Sequence, residues 1–370
     1  MTKIQDDISH ELDDLEHGGR HPAGPSGKLL ILLALCWSLF QLYYASPLPF
    51  IFAATLPDSI SGFMLFNDTE ARAIHLGFAI AMAFMAYPLS PKANQLKIPI
   101  YDWIFFGVGI YCALYIFLNY GALAMRVGAF TGFDLAVGLV GICLLLEAAR
   151  RVLGLPMVCV ALFFLCYIFF GNSGWVPDDL RWKGASLHKA MSHLWLTTEG
   201  VYGVALGVSV SFVFLFVLFG ALLEKAGAGS YFIRVAFSLL GHLRGGPAKA
   251  AVIASGLTGL ISGSSIANVV TTGTFTVPLM RKVGFTREEA GAVEVASSVN
   301  GQIMPPVMGA AAFLMVEYVG IPYTEVIKHA FLPALISYIA LVYIVHLEAI
   351  KKGMEGTPKR DNGMTFLQKM

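Results

Sequence analysis

The feature that most constrains this chain is the placement of its charges, which fall between long runs that contain none. Val201–Leu223 has no Asp, Glu, Lys or Arg, and neither do Leu29–Ala45, Trp103–Tyr120 and Val152–Phe170. Ile74–Leu89 carries only His75, Val127–Leu146 only Asp134, and Phe331–Val345 lies between His329 and His346. A helix crosses a bilayer with about 20 mostly apolar residues, in a working range of roughly 17 to 25. The runs therefore predict an all-α integral membrane protein with about eight membrane segments. Composition agrees: 56% of residues are hydrophobic and 13% charged, where a soluble domain has roughly a quarter charged. The formal net charge of +1 gives a nucleic-acid partner no electrostatic footing.

Residues 1–28 form a polar, acidic tail (Asp6, Asp7, Glu11, Asp13, Asp14, Glu16), the wrong flank for a secretory signal peptide, so the first apolar run is expected to stay as an anchor. Cys36, Cys112, Cys143, Cys159 and Cys166 all lie inside apolar runs without CxxC spacing, which supports neither a metal site nor a disulfide framework. Basic residues in short loops set orientation. The first loop has Asp58, Asp68 and Glu70 before Arg72, the next has Lys92 and Lys97, Arg150 and Arg151 follow the fourth span, and Lys351, Lys352, Lys359 and Arg360 follow the last. Both termini are expected in the cytoplasm.

The chain changes character near residue 200. Segment 29–200 reads as simple, aromatic-rich spans, and 201–350 as shorter, glycine-rich and interrupted elements before a polar tail, 351–370. The connecting stretch Asn172–Gly200 carries Trp175, Trp182 and Trp195, residues that favour the membrane interface. Phe232, Val235, Leu239, Leu240 and Leu243 recur at helical spacing, which predicts a surface helix over 230–243.

Two uncharged arms within 248–282 flank the polar tip Ser262-Gly263-Ser264-Ser265. Each arm has about 12 to 15 residues, or roughly 18 to 22 Å at 1.5 Å per residue, too short for a core about 30 Å thick. The pattern predicts a re-entrant hairpin whose ends share one face, marked by Arg281, Lys282 and Arg287. Backbone bent at membrane depth needs protein or water to satisfy it. Ser262, Ser264, Ser265 and Asn268 offer oxygens of the hard kind that suits a small cation, and Gly263 lets carbonyls approach. Thr271, Thr272, Thr274 and Thr276 are placed either to bond carbonyls of their own helix or to line a polar path.

A second interruption follows. Thr286 and Glu289 form a capping-box pattern opening a helix through Ala290–Val299. It is expected to stop at Asn300-Gly301-Gln302-Ile303-Met304-Pro305-Pro306, because the prolines remove two donors and bias Met304 away from helix. A second half-helix should run over Val307–Val319, giving a broken helix over 287–319 before a final span, 329–347. Secondary transporters build midplane sites from such interrupted helices. Glu294 reads either as a coupling group or as a cytoplasm-facing acid near the helix start.

The runs GLISGSSIANVV (Gly259–Val270), TFTVPLM (Thr274–Met280), GAVE (Gly291–Glu294) and GQIMPPVMGAAAF (Gly301–Phe313) resemble the large membrane subunit of tripartite ATP-independent periplasmic (TRAP) transporters. The likeness covers about Val201–Leu347, and the amino-terminal block resembles the small membrane subunit fused ahead of it, as in the branch that works with TAXI-type solute-binding proteins. The resemblance implies a bacterial inner-membrane importer, not an enzyme, that takes up small carboxylates with Na+ as coupling ion and has no other cofactor. It implies a soluble extracytoplasmic binding protein as partner. It also places a first sodium site on Ser265 and Asn268 with carbonyls of Gly301, Met304 and Pro306. Ser262, Gly263 and Ser264 complete the tip motif, and Asn300, Gln302 and Pro305 the helix break. The family's large subunit contains two inverted halves, and this sequence carries one hairpin and one break, so a missing C-terminal half is expected.

Two other classes compete. A membrane scaffold or assembly subunit would share the spans without transport. An intramembrane serine hydrolase would have to draw on Ser262–Ser265 and His329, but the tip reads Leu260-Ile-Ser-Gly263 rather than G-x-S-G.

Overall fold

The structure, a computed structural model, describes residues 19–355 apart from 21, 56, 58–63, 91–92, 94–95 and 175. Most of the acidic tail, Asp58, Lys92, Trp175, Lys359 and Arg360 lie outside the described residues. Every described regular element is helical, and the chain divides into two compact units, one ending at Ser211 and the other beginning at Phe212. Five helices are long and apolar enough to cross a membrane: Pro25–Ala45, Ile100–Leu118, Gly132–Leu153, Val204–Lys225 and Tyr323–Lys351.

In the first unit the helix ends follow from local chemistry. Asp68–Ala86 opens on a capping box in which the Asn67 side chain accepts from Glu70 N and Glu70 accepts from Asn67 N. Gly132–Leu153 opens on the same device, Thr131 with Asp134, and ends at Gly154, whose φ of 86° few other residues adopt. Pro156 then starts Leu155–Phe170, where a missing N–H costs nothing.

The core of this unit packs Ile80, Phe84, Ala113 and Ile116 with Trp195 and Tyr202. Here the interfacial reading of Trp195 is corrected: the residue is fully buried. Gly138 and Gly141 leave the space its ring occupies, and its Nε1 donates to the Cys112 carbonyl at 3.2 Å, so the indole needs no water.

The second unit starts inside the helix Val204–Lys225, within the π-helical turn Ser209–Val213. The helix expected over 230–243 runs over Ala228–Leu240, starting two residues and ending three residues earlier, because Gly227 in the left-handed region (φ 87°) sets its start and Gly241 follows its end. The hairpin arms are Gly246–Ser262 and Ser265–Lys282. Both are longer than expected: proline in the first turn extends one arm outward, and Arg281 and Lys282 favour the negative end of the other. At roughly 25 to 27 Å they still fall short of a core about 30 Å thick.

Arg287–Gly301 forms the first half-helix, with the expected capping box of Thr286 and Glu289. The second half-helix starts at Ala310, later than Val307. Met308 holds a positive φ of 53° and Gly309 is extended, so the chain cannot coil until Gly309 caps the next turn. The final span is Tyr323–Lys351, with Pro333 inside it.

Candidate functional site

The two interruptions meet. Gly263 takes a left-handed φ of 58° that reverses the chain between the arms, and a Cβ there would strike the Met308 carbonyl and sit 3.2 Å from Val307 Cγ1. Ser264 caps the second arm, its hydroxyl accepting from Ala267 N at 3.3 Å. Ser265, one residue on, accepts at its Oγ from Gln302 Nε2 at 2.9 Å, which ties the tip to the helix break. Ser262 Oγ donates to the Ser264 carbonyl at 3.4 Å and shapes the turn.

Asn268 lies one turn below Ser265 and is fully buried. Its Nδ2 donates to the Ser255 carbonyl at 2.9 Å and lies 3.1 Å from Ser255 Oγ. Because a carbonyl can only accept, the amide nitrogen must face Ser255 and the oxygen must point away. That Oδ1 is buried and has no hydrogen-bond partner among the described residues. An unpaired buried oxygen is costly, and the residue that carries it packs where the arm runs against the break. A Cβ on Gly301 would sit 3.0 Å from Asn268 Nδ2, and one on Gly259 would sit 2.6 Å from Gly301 Cα. Glycine on both helices is what allows this crossing.

The break itself is held by turns and side chains. Met304 N donates to the Gly301 carbonyl at 3.1 Å, and Gly309 N to the Gln302 carbonyl at 2.6 Å. Asn300 Nδ2 donates to Ser337 Oγ at 2.7 Å, which anchors the end of the half-helix on the final span. The carbonyl of Pro306 accepts from the Tyr323 hydroxyl at 2.5 Å, and that of Val307 from the same hydroxyl at 2.9 Å. Tyr323 is steadied by stacking on Phe313 at 4.8 Å. Buried Pro305 and exposed Pro306 interrupt the ladder between these anchors.

Glu294 is buried, 1% exposed, which sets aside its reading as a solvated acid. The hydroxyls of Thr272 and Thr276 bond its two carboxylate oxygens, and Ser298 Oγ lies 3.4 Å from Oε1. Gly273 provides the room, since a Cβ there would meet Glu294 Cγ at 3.2 Å. Thr272 Oγ1 is also 2.7 Å from the Asn268 carbonyl, and Thr276 Oγ1 3.0 Å from that of Thr272, so the two readings of these threonines coexist.

One neighbourhood of tip and break is thus joined by Ser265 to Gln302 and by Gly263 to Met308, while the Pro306 carbonyl meets Tyr323 and Asn300 meets Ser337. Ser255, Ser337, Tyr323 and Tyr338 belong to it as well and were missed. Tyr338 OH donates to the Ser297 carbonyl at 2.8 Å. A serine inside the alanine-rich first arm and tyrosines facing glycine helices were the available signals. His329 is exposed near the start of the final span, and no hydrogen bond joins it to Ser262 among the described residues.

A helical hairpin lodged against a discontinuous helix, among apolar spans, defines a multi-pass membrane permease. The family described as "Tripartite ATP-independent periplasmic transporter, DctM component" matches residues 140–366, and the chain belongs to that family. It is a family of transporter permeases, not of enzymes, which sets aside the hydrolase. The chain is 29% identical over 186 residues to a C4-dicarboxylate TRAP transporter large permease protein of Pseudomonas aeruginosa, covering 50% of this chain and 39% of that one. It is 29% identical over 147 residues to a sialic acid TRAP transporter permease protein of Haemophilus influenzae, covering 39% and 23%. An ectoine TRAP transporter large permease protein of Halomonas elongata is 25% identical over 152 residues, covering 41% and 35%. The chain therefore spans roughly a quarter to two fifths of the length of these curated relatives.

Proposed function

We propose that this chain supplies the membrane path, in a bacterial inner membrane with both termini cytoplasmic, of a sodium-coupled importer of small carboxylates. A TAXI-type extracytoplasmic binding protein delivers the substrate, the amino-terminal unit takes the part of the small membrane subunit, and a second hairpin-and-break half completes the cavity. The observation that carries the reading is Asn268 Oδ1, a buried oxygen with no hydrogen-bond partner among the described residues. An amide oxygen is the kind of ligand a hard monovalent cation takes. Ser265 and Asn268, with carbonyls of Gly301, Met304 and Pro306, are the proposed sodium ligands. Glu294 is the proposed coupling group, since Thr272 bridges from the Asn268 carbonyl to its carboxylate. Substrate selection is assigned to the binding protein and to the second half.

The test is uptake of labelled organic acids into proteoliposomes under an imposed sodium gradient. The chain is compared with and without the complementary half and the binding protein. Uptake only in the complete assembly, with sodium dependence weakened by Ser265→Ala and Asn268→Ala, is expected. Wild-type sodium dependence in both variants removes the site assignment. Absence of uptake in every arm favours a scaffold role, a reading that draws on the short overlap with the relatives.

A further inference from the structure

Within the second unit a cavity of about 510 Å³ opens between the surface helix, the first hairpin arm and the final span. Its walls are mostly apolar, formed chiefly by Leu240, Ile253, Leu335, Ile339 and Val342 with the rings of Tyr338 and Tyr343, and its ionisable nitrogens, Lys249 and His346, lie together at one end. Lys249 is only 7% exposed, and its Nζ is 2.9 Å from His346 Nδ1. An ammonium only donates, so in this contact the imidazole nitrogen accepts. The lysine charge is therefore hydrogen-bonded but not compensated.

Among the described residues no carboxylate pairs with Lys249. The ion pairs of this unit are Lys328 with Glu325, Lys351 with Glu348 and Lys352 with Glu289. Arg244 stands close enough to repel Lys249 and adds to the excess of positive charge. A buried cation without a counter-ion in a membrane protein calls for an anion from elsewhere.

Shape narrows the choice. His346, Val342, Ile339 and Leu335 follow one another along a single helix face, a distance of about 16 Å at 1.5 Å per residue. One charged end and a long apolar trough match an anionic head with an acyl chain. A free anion would leave the trough empty, and a neutral lipid would leave the charge unmet. We infer that the groove between Lys249–His346 and Leu335 is a binding site for one anionic phospholipid, its phosphate at Lys249 and its acyl chain along Ile339. The site is independent of the proposed ion site and does not rest on it.

The 370-residue chain, purified and delipidated in detergent, is titrated with dioleoylphosphatidylglycerol or dioleoylphosphatidylcholine, and bound lipids are counted by native mass spectrometry. Phosphatidylglycerol should be preferred by at least about fivefold, the effect of one cation at a membrane surface. Lys249→Gln should abolish the preference and Lys249→Arg restore it. Ile339→Trp, at a position 59% exposed and so harmless to the fold, should lose one bound lipid of either kind. Equal binding of the two lipids by the wild type, or a preference that survives Lys249→Gln, overturns the proposal. So does lipid retained in Ile339→Trp, the outcome expected if a protein segment fills the groove, and so does competition by inorganic phosphate alone.

Discussion

The two units handle buried polarity in opposite ways. In the first, charges are brought inside and paired. Asp102, 1% exposed, lies between Arg20 at 2.5 Å and Arg151 at 2.7 Å, and Arg151 also sits 4.9 Å from the Phe84 ring centroid. Asp134 accepts from the Tyr115 hydroxyl at 2.5 Å, Arg126 at 3.0 Å and Thr131 N at 2.7 Å. In the second, the described ion pairs are at exposed or half-buried helix ends, and the buried carboxyl of Glu294 meets hydroxyls among its described partners. Charge pairs hold one geometry firmly and are expensive to break. Hydroxyls rotate, donate or accept, and can exchange partners at little cost. The buried charge pairs of the first unit are therefore the harder to exchange, and the hydroxyl bonds around Glu294 the easier.

The largest test of this contrast is Asp102→Ala, which leaves two guanidinium groups buried without their carboxylate. A loss of about 3–5 kcal/mol is expected. All five tryptophans of the chain precede residue 211, so tryptophan fluorescence during denaturant unfolding reads the first unit alone. An unchanged midpoint would mean that Arg20 and Arg151 find water.

Next is the glycine crossing of the second unit. Gly259→Ala adds a methyl 2.6 Å from Gly301 Cα, and overpacking of this kind costs about 1–3 kcal/mol. Faster hydrogen exchange in both hairpin arms, with unaltered tryptophan fluorescence, is the expected signature. Slower exchange would show that the arms have room to part.

A similar loss, about 1–3 kcal/mol, is expected for Thr276→Val, which removes a donor from a buried acid. Most of it should vanish when Glu294 is replaced by Leu, because the donor then has no carboxylate to serve. Full additivity in that double-mutant cycle, read by the same exchange measurement, would break the idea that the network acts as a unit.

The smallest effect belongs to the surface. Lys352, at 2.7 Å, and the capping box hold the Glu289 carboxyl below the ordinary carboxylate range. A lowered value contributes stability above the unfolded range that is lost as pH falls through the folded one. Acidification should therefore fray the first turn of the half-helix, and Thr286→Ala should cost about 1 kcal/mol at neutral pH. Exchange of the amides near Thr286 at two pH values checks both.

The sequence was legible wherever a local rule was sufficient. The capping box of Thr286 and Glu289, the interruption at Pro305–Pro306 and the turn at Gly263 were all read from neighbours a few residues apart. Failures came where a distant partner decided. Trp195 reads as interfacial until Gly138 and Gly141 provide a buried slot for it. The second half-helix reads as starting at Val307 until Met308 is found packed beneath the Gly263 turn with a left-handed backbone.

What the sequence determined by itself, then, is that the chain crosses a membrane and where it bends there, because apolar run length and proline or glycine placement act through the chain's own backbone. What only the tertiary structure decided is which groups face one another. Examples are Asn268 with its amide nitrogen beside Gly301 and its oxygen unpaired, Glu294 bonded by hydroxyls, and Lys249 without a carboxylate among the described residues. The physical reason is that satisfaction of a buried polar group depends on atoms brought close by packing, over separations in sequence that no periodicity records.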